Sequence, residues 1–453
     1  MKSKNKKKFV SGIKPVQQFV ASFIVLIISG ALLLMLPQST VRGISLIDAI
    51  FTSTSAVCVT GLTVLDTGKD FTFTGQAIIL LLIQLGGLGI MTFSIGIFSM
   101  LSGSFSLKWR FAFGEIYNEV TIIPPMQILK KIFLYTFTIE ILTAAVLFTQ
   151  FIGDYSPAES AWLAVFHSVS AFCNAGFSTF SDSLTGYRSN TLFMTAVSLN
   201  IILGGLGFLV LAELAGTGFK LKKNLFRQFS LHTKIVLAST AILIASGAAL
   251  FMLFEWGHIM RGMPFREKCL VSVFQSLTCR TAGFNSVDIG TLRQSTLSVM
   301  MLLMFIGGSP GSIAGGIKTT TFAVICGIII SRFRGERQIV FWNRSVSEEA
   351  VIKSMLLVIL SFIFIYSFTI LILATGSYDS NHSYLGVMFE VISAFGTVGL
   401  STGITGSFPG LSKILLSVIM LVGRVGVFAI LTVLTADSRT ADIEIADENI
   451  MIG

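Results

Sequence analysis

The sequence has little charge and few residues of the types that usually carry catalysis. Only 12% of its 453 residues are Asp, Glu, Lys or Arg, whereas 53% are hydrophobic and the mean hydropathy is +0.83. A soluble globular domain carries about 25% charged residues, so this composition excludes a soluble enzyme. Several apolar runs exceed the roughly 18 to 20 residues that cross a bilayer as a helix. The sequence therefore predicts an all-α integral membrane protein.

Histidine and cysteine are also scarce and dispersed. The chain has four histidines and five cysteines, with no CxxC pair and no metal-ligand spacing among them. This pattern excludes a zinc site, a disulfide framework and a cluster of catalytic side chains. We therefore expect no enzyme activity and no cofactor bound by this chain.

Basic residues are concentrated in four short segments. Six, four, five and five Lys or Arg residues lie in segments 1–15, 102–131, 217–234 and 332–353. The positive-inside rule places all four segments in the cytoplasm, so the chain crosses twice after each one. This predicts eight full spans with both termini cytoplasmic. The net charge of +9 follows from this topology and indicates no nucleic-acid partner.

The chain contains a fourfold internal repeat. In each copy a Phe begins a short run that ends in Thr, Ala or Val followed by Gly. The four segments are FTSTSAVCVTGL (51–62), FHSVSAFCNAGF (166–177), FQSLTCRTAGFN (274–285) and FEVISAFGTVGL (389–400). Their glycines, Gly61, Gly176, Gly283 and Gly399, are 115, 107 and 116 residues apart. Near-constant spacing indicates repeated structural units.

A second glycine motif follows 24 to 28 residues after each of these glycines and begins at Gly86, Gly204, Gly307 and Gly423. The repeated unit is therefore a span, a short helix, a glycine turn and a second span. We divide the chain into a basic N-terminus (1–15), repeat 1 (16–101), a cytosolic loop with the start of repeat 2 (102–131), repeat 2 (132–216), repeat 3 (217–331), repeat 4 (332–436) and an acidic cytosolic tail (437–453).

A short helix of about 12 residues cannot cross a bilayer and must re-enter it. Non-helical backbone at that depth is tolerated only where protein buries it or where it lines a water-filled cavity. Glycine lets the backbone turn so that carbonyl oxygens point toward a shared axis. Four such loops in a pseudo-fourfold arrangement predict one pore, in which neutral oxygens replace the hydration shell of K⁺. The C-terminal helix dipoles also favour a cation there.

These motifs, together with GGSPGSIAGGIKTTT at 307–321, resemble those of the Trk/Ktr/HKT superfamily of potassium transporters, and most closely those of the bacterial Ktr membrane, or ion-translocating, subunit. The resemblance covers nearly the whole chain. It implies potassium uptake across the cell membrane by a homodimer, in which each subunit has its own pore. It also implies a cytosolic ring of RCK-type regulatory subunits that binds a nucleotide such as ATP or ADP, and Na⁺ as a coupled or activating ion.

The last three residues of each loop are assigned to the filter, where their carbonyl oxygens would hold K⁺. They are Val59, Thr60 and Gly61; Asn174, Ala175 and Gly176; Thr281, Ala282 and Gly283; and Thr397, Val398 and Gly399. With one glycine per loop, we expect fewer ion sites and weaker discrimination between K⁺ and Na⁺ than in a longer filter.

The second span of repeat 3 contains a proline and five glycines, which weaken a helix near its middle. In the family the matching segment is an intramembrane loop that acts as the gate. Its residues here are Gly307, Gly308, Ser309, Pro310, Gly311, Ser312, Gly315 and Gly316. The alternative is a kink that lets two helices approach closely.

Four charged residues fall within predicted spans or pore helices, where they are costly and usually functional. We expect Arg424 to anchor the gate loop through its carbonyls or to regulate ion passage, with a packing ion pair as the alternative. Arg280 would brace the filter as a hydrogen-bond donor, and Glu390 is a candidate partner for it. Lys318 either marks where the broken span resumes or extends its amine to the membrane surface.

Two function classes remain open. The first is a gated potassium pathway with a fixed filter. The second is a secondary active transporter whose broken helices bind substrate near the midplane while two halves rock. Four repeated loops around one axis favour the first class.

Overall fold

The computed structural model describes residues 15–89, 125–216, 225–336, 338–375 and 383–427. Most of the predicted basic N-terminus, most of the loop 102–131, and the whole acidic tail 437–453 lie outside the described residues. The predictions made for those segments therefore remain predictions.

The helices follow one order four times: a long helix, a short helix and a second helix. The long helices are α1 (Pro15–Leu34), α4 (Pro125–Phe151), α9 (Leu231–Glu255) and α13 (Glu348–Ala374). The short helices are α2 (Leu46–Val57), α5 (Pro157–Phe172), α10 (Phe265–Thr278) and α14 (Tyr384–Gly396). The second helices are α3 (Phe73–Gly87), α6 (Thr191–Leu206), α11 (Gln294–Phe305) and α15 (Gly410–Val425).

The remaining elements connect or extend these helices. They are α7 (Phe208–Gly216), α8 (Leu225–Gln228) and α12 (Thr319–Phe333), together with the 3-10 turns Thr185–Tyr187, Ile289–Thr291 and Thr405–Ser407. The fold is not purely helical, because strands β1 (Val340–Phe341) and β2 (Arg344–Ser345) form an antiparallel hairpin that pairs Val340 with Ser345.

Length limits which helices cross a membrane unaided. Within the described ranges, Lys130–Phe151, Leu231–Glu255 and Glu348–Ala374 are long and apolar enough, and α6 with α7 adds a fourth span bent by 103°. The second helices have only 12 to 16 residues, which is less than the roughly 20 that a straight span needs. The predicted count of eight full spans is thus not reached by unbroken helices.

Each second helix ends at its glycine motif, although the sequence singled out only the break in repeat 3. Gly89, Gly207 and Gly426 follow the ends of α3, α6 and α15 with φ values of +77°, +88° and +95°. A left-handed residue ends a right-handed helix, and glycine adopts that conformation without steric cost. In repeat 3 the break is longer and separates α11 from α12 by 13 residues, 306–318.

The short helices lie at the centre of the bundle, and their sequences fix both ends. The side chains of Ser45, Ser156 and Ser383 accept a hydrogen bond from a backbone N–H in the first turn of α2, α5 and α14. Such caps satisfy N–H groups that the helix leaves unpaired. Cys58 and Cys173 are the C-caps of α2 and α5. Each short helix therefore ends just before its repeated glycine. The helices also begin before the repeated Phe, and they have 12 to 16 residues, against the roughly 12 expected for a helix too short to cross a bilayer.

Ion pairs join neighbouring repeats on the side where the short helices begin. Lys413 in α15 contacts Asp48 in α2 at 2.8 Å, which links the last repeat to the first. Arg188 contacts Glu267 in α10 at 2.9 Å and links repeat 2 to repeat 3. These contacts support a closed arrangement of the four units.

In repeats 1, 2 and 4, close contact between the short helix and the second helix depends on glycine. A Cβ placed on Gly86, Gly204 or Gly423 would lie 2.0, 1.9 or 1.9 Å from the carbonyl oxygen of Val57, Phe172 or Phe395. No side chain fits at that distance, because the obstructing atom belongs to the backbone. The first glycine of the second motif therefore serves helix packing in repeats 1, 2 and 4.

Gly204→Ala is expected to destabilise the protein, whereas the neighbouring Gly205→Ala is not. The first methyl group would overlap the Phe172 carbonyl, while a Cβ on Gly205 would meet only the Asn174 side-chain amide at 3.4 Å. Overpacking of this kind costs about 1 to 3 kcal/mol. Thermal unfolding of purified protein in detergent measures the difference, and equal melting temperatures for the two variants would contradict the close contact.

Candidate functional site

The four repeated glycines meet around one axis. A Cβ placed on Gly61, Gly176, Gly283 or Gly399 would lie 2.3, 2.9, 2.4 or 2.1 Å from a carbonyl oxygen of another loop. Those oxygens belong, in the same order, to Ala175, Ala282, Val398 and Thr60. Each loop thus touches the next, and the fourth touches the first. This closed sequence of contacts forms a ring in which only glycine fits.

The loops share a backbone conformation as well as a position. The residue two positions before each glycine has a positive φ, with values of 55°, 55°, 66° and 49° at Val59, Asn174, Thr281 and Thr397. Positive φ is uncommon for residues other than glycine and marks a constrained backbone. All twelve residues assigned to the filter are buried or nearly so. The structure therefore brings together every residue that the sequence proposed for the filter.

Hydroxyl groups on the short helices form hydrogen bonds with the backbone of the loops, a role that was not predicted from the sequence. Ser55 and Ser393 accept hydrogen bonds from the backbone N–H groups of Gly61 and Gly399, both at 3.1 Å. In repeats 2 and 3 the hydroxyls donate to the carbonyl after the glycine, from Ser170 to Phe177 at 2.7 Å and from Thr278 to Phe284 at 2.8 Å. A Ser or Thr at the fifth position of every repeated segment was the available signal.

A second set of braces spans the outer side of the loops in repeats 2, 3 and 4. His167, Gln275 and Glu390 occupy the second position of their segments. Each bonds a serine just beyond the repeated glycine, namely Ser178 at 3.0 Å, Ser286 at 3.0 Å and Ser401 at 2.9 Å. The polar side chains differ, but the connection is the same.

Glu390 and Arg280 have separate partners, so the pairing suggested from the sequence is wrong. The buried carboxylate of Glu390 accepts hydrogen bonds from the backbone N–H of Thr402 at 2.8 Å and the hydroxyl of Thr405 at 2.7 Å. Arg280 donates through Nη2 to the hydroxyl of Thr240 at 3.3 Å. The carboxylate of Glu390 is therefore paired with donors of its own loop, and the guanidinium of Arg280 is paired with α9.

The loop 306–318, called the gate loop below, lies against the ring. Ile306 and Ile317 form a parallel bridge that closes the base of the loop. The N–H of Gly315 donates to the hydroxyl of Thr397, a filter residue, at 3.1 Å. A Cβ on Gly316 would lie 3.3 Å from the Cα of Gly396, at the end of α14. The broken helix therefore places its loop in direct contact with the fourth filter segment.

The gate loop also docks on the break in the second helix of repeat 2. The N–H of Ser309 donates to the carbonyl of Gly205 at 3.1 Å, and the N–H of Phe208 donates to the carbonyl of Gly311 at 3.2 Å. These two bonds satisfy backbone groups that the interrupted helix leaves unpaired. Each broken helix thus supplies hydrogen-bond partners to the backbone of the other.

Two half-buried cationic side chains bind carbonyl groups at the gate loop. Arg424 donates to the carbonyl of Ile313 in the loop and to that of Gly86 in α3. Lys318 is the N-cap residue of α12, and its Nζ donates to the carbonyl of Ala314. The lysine is therefore turned toward the loop and does not extend to the membrane surface. Carbonyl oxygens suit such contacts because they offset a positive charge buried in apolar surroundings.

Carboxylates are absent from the twelve filter residues, which keeps the ring neutral. Among the described residues, no group of three or more His, Cys, Asp or Glu side chains could hold a metal ion. The cysteines Cys58, Cys173, Cys269, Cys279 and Cys326 are free thiols. The oxygens that the filter residues offer to an ion are therefore neutral.

Comparisons with known proteins place this arrangement among ion transporters. The TrkH family model, described as a cation transport protein, matches residues 2–439. The chain is 38% identical to the Ktr system potassium uptake protein B of Bacillus subtilis (strain 168), over 91% of both chains. It is 35% identical to the potassium/sodium uptake protein NtpJ of Enterococcus hirae, over 99% of both chains.

A solved structure supports the same fold. The chain is similar to the potassium transporter TrkH from Vibrio parahaemolyticus, with a TM-score of 0.74 over 94% of this chain and 86% of the other. The two sequences are 19% identical, so the likeness concerns the fold alone. It shows a helical membrane protein of the kind that the sequence predicts.

Replacing Glu390 with Met is expected to destabilise the fourth loop more than replacing it with Gln. Met leaves the N–H of Thr402 without an acceptor, and an unpaired buried donor costs about 1 to 3 kcal/mol. Gln keeps one oxygen for that N–H, while the hydroxyl of Thr405 can rotate to accept from the new amide. Thermal unfolding in detergent distinguishes the variants. If Gln proved as damaging as Met, the negative charge itself would matter, and bracing by hydrogen bonds would be the wrong explanation.

Proposed function

Because this chain belongs to the TrkH family of cation transport proteins, we propose that it takes up potassium ions across the cell membrane through a ring of backbone carbonyls. The family consists of ion transporters and not of enzymes. The observation that carries the proposal is the closed ring of glycine and carbonyl contacts made by the four loops. The names of its relatives in Bacillus subtilis and Enterococcus hirae, both potassium uptake proteins, support the choice of ion.

The chemistry of the ring suits a monovalent cation. Carbonyl oxygens of Thr60, Ala175, Ala282 and Val398 lie next to the glycines of the neighbouring loops. Neutral oxygens can replace the water around K⁺, whereas a divalent cation would call for carboxylates. The four short helices end beside the ring, so their partially negative C-termini add to the attraction.

A fixed ring also bears on the alternative of a secondary active transporter with two rocking halves. Each loop is braced from its own short helix, and neighbouring loops are in van der Waals contact. Relative motion of two halves would separate these contacts. The geometry therefore supports a fixed filter with a separate gate.

The gate loop is proposed to close the pathway beside the filter. It contacts the filter through Thr397, the second helix of repeat 2 through Gly205, and the side chain of Arg424. Arg424 holds the carbonyl of Ile313 and that of Gly86 together, so it restrains the loop in its present position. Opening would require these hydrogen bonds to be exchanged for others.

We propose the same assembly that the family resemblance implies. The chain would form a homodimer on a cytosolic RCK-type ring that binds ATP or ADP, with both termini cytoplasmic and eight membrane crossings. A relative in Bacillus subtilis is named as protein B of a Ktr system, which supports a further component. The potassium/sodium uptake protein NtpJ supports Na⁺ as a coupled or activating ion.

Gly283→Ser is expected to abolish selective uptake. A Cβ there would lie 2.4 Å from the carbonyl of Val398 and 3.1 Å from the Cα of Gly176, so the side chain would obstruct the ring. An obstruction that adds about 1.4 kcal/mol to the barrier lowers the flux tenfold. Unidirectional rubidium and sodium fluxes in proteoliposomes should show a loss of rubidium uptake or of the rubidium-to-sodium ratio.

Gly403→Ser is the matched control for this experiment. Gly403 also has a positive φ, of 93°, but nothing lies within 4 Å of a Cβ placed on it. The control therefore has comparable backbone strain without entering the ring, and it should retain rubidium selectivity. Unchanged rate and selectivity in Gly283→Ser would refute the proposed filter. Proton-coupled, saturable uptake of an organic solute by the unmodified protein would favour the rocking transporter.

Arg424→Gln is expected to raise rubidium uptake without changing the rubidium-to-sodium ratio. Loss of a charge-assisted hydrogen bond, worth about 1.5 to 3 kcal/mol, would shift the loop toward its open state by about tenfold or more. The filter residues are untouched, so selectivity should persist. Arg293→Gln, at an exposed position before α11, controls for loss of positive charge. Lower or unchanged uptake in Arg424→Gln would show that the arginine does not hold a closed gate.

A further inference from the structure

A cavity of about 360 Å³ opens on the side of the bundle, between α3, α4 and α5. Its walls are almost entirely apolar, and its mouth is formed by the exposed side chains of Leu81, Phe137, Ile141 and Val165. In a membrane protein, an exposed apolar rim of this kind faces the lipid chains. The cavity is therefore reached from the hydrocarbon of the bilayer, away from the ring of filter carbonyls.

A carboxyl group lies at the inner wall of this cavity. Glu140 is only 4% exposed, and its Oε2 accepts a hydrogen bond from the amide of Gln84 at 3.3 Å. Its Oε1 is buried and has no hydrogen-bond partner among the described residues. The other end of the Gln84 amide is already engaged, because its Oε1 accepts from the thiol of Cys173 at 3.6 Å. One acceptor on the cavity wall is thus left to bind a donor from outside the protein.

Burial of a carboxylate is costly unless a cation or several hydrogen bonds compensate it. The single, long hydrogen bond from Gln84 supplies little of that compensation. A ligand that brings a positive N–H donor into the cavity would supply both the charge and the hydrogen bond. A neutral hydroxyl would supply only the hydrogen bond, and an apolar chain would supply neither.

We propose that the cavity binds a lipophilic ammonium compound, in which a protonated amine donates to Glu140 Oε1 and an alkyl chain occupies the apolar space. The volume lies within the range of about 300 to 1,000 Å³ that is usual for small-molecule sites. Aliphatic side chains of Leu80, Leu81 and Val169 line the space for the chain. Such a ligand enters from the membrane, where its chain partitions.

Trp162 provides a reporter at the site. Its side chain lines the cavity, and its Nε1 donates to the Oε1 of Gln76 at 2.8 Å, which fixes the ring. In a background in which the other three tryptophans are replaced by Phe, bromine on a bound ligand quenches only this fluorophore. Those three are Trp109, Trp256 and Trp342. The probes are a brominated medium-chain alkylammonium and the brominated alcohol of the same chain length.

The expected result is saturable quenching by the alkylammonium, with weaker binding of the alcohol. Glu140→Gln should weaken alkylammonium binding about tenfold or more, since the charge-assisted hydrogen bond is lost. The affinity for the alcohol should be unchanged, and this result would also show that the variant retains its cavity. Ala144→Phe should reduce binding of both probes because residue 144 lines the cavity. Ala145→Phe, at the neighbouring exposed position, should bind like the unmodified protein.

Three outcomes would overturn the proposal. Equal affinities for the ammonium and the alcohol would mean that the carboxylate does not select a cation. Unchanged alkylammonium binding in Glu140→Gln would remove Glu140 from the site. Quenching that fails to saturate and is equal in all variants would indicate probe dissolved in the lipid and no bound ligand. Since the readout is binding, a failure here leaves the proposed ion pathway untouched.

Discussion

The fold depends on one constraint: backbone that is not helical must be fully satisfied inside a membrane. Four loops meet this constraint by closing on one another, so that each glycine makes room for a carbonyl of the next loop. The arrangement cannot be built by one repeat alone, because every loop needs a neighbour on both sides. A closed ring therefore requires all four linked units.

Buried hydroxyl groups explain how such loops keep their shape. The short helices are central and surrounded by protein, yet they carry Ser or Thr where a soluble core helix would carry apolar residues. Ser55, Ser170, Thr278 and Ser393 are fully buried and bond the backbone of their own loops. A buried hydrogen bond is strong when satisfied and its loss is costly, so these residues specify one conformation. The short helices therefore hold the loops in the shape that the ring requires.

The elements that repeat along the sequence could be predicted from it. The contacts that depend on which residues lie close together in the fold could not. Four glycines at similar spacing identified the ring, and the glycine-rich run at 307–316 identified the long break. Hydropathy could not reveal that the other second helices end at Gly89, Gly207 and Gly426, because glycine is common in membrane spans. The pairing of Glu390 with Arg280 was wrong because a carboxylate can be satisfied by nearby hydroxyl and N–H donors. The order of residues along the chain does not show which donors lie closest to the carboxylate in the fold.

Departures from fourfold symmetry concentrate where a gate would be needed. A symmetric ring can select an ion, but it contains no element that could close the pathway. Four identical inserted loops could not all lie on one axis. Among the described residues, only repeat 3 extends its break into a loop, and the other repeats provide its contacts. Repeat 2 offers the carbonyl of Gly205, and repeat 4 offers the hydroxyl of Thr397. The side chain of Arg424 in repeat 4 also links the loop to Gly86 in repeat 1. One altered unit therefore contacts the ring, while all four units build it.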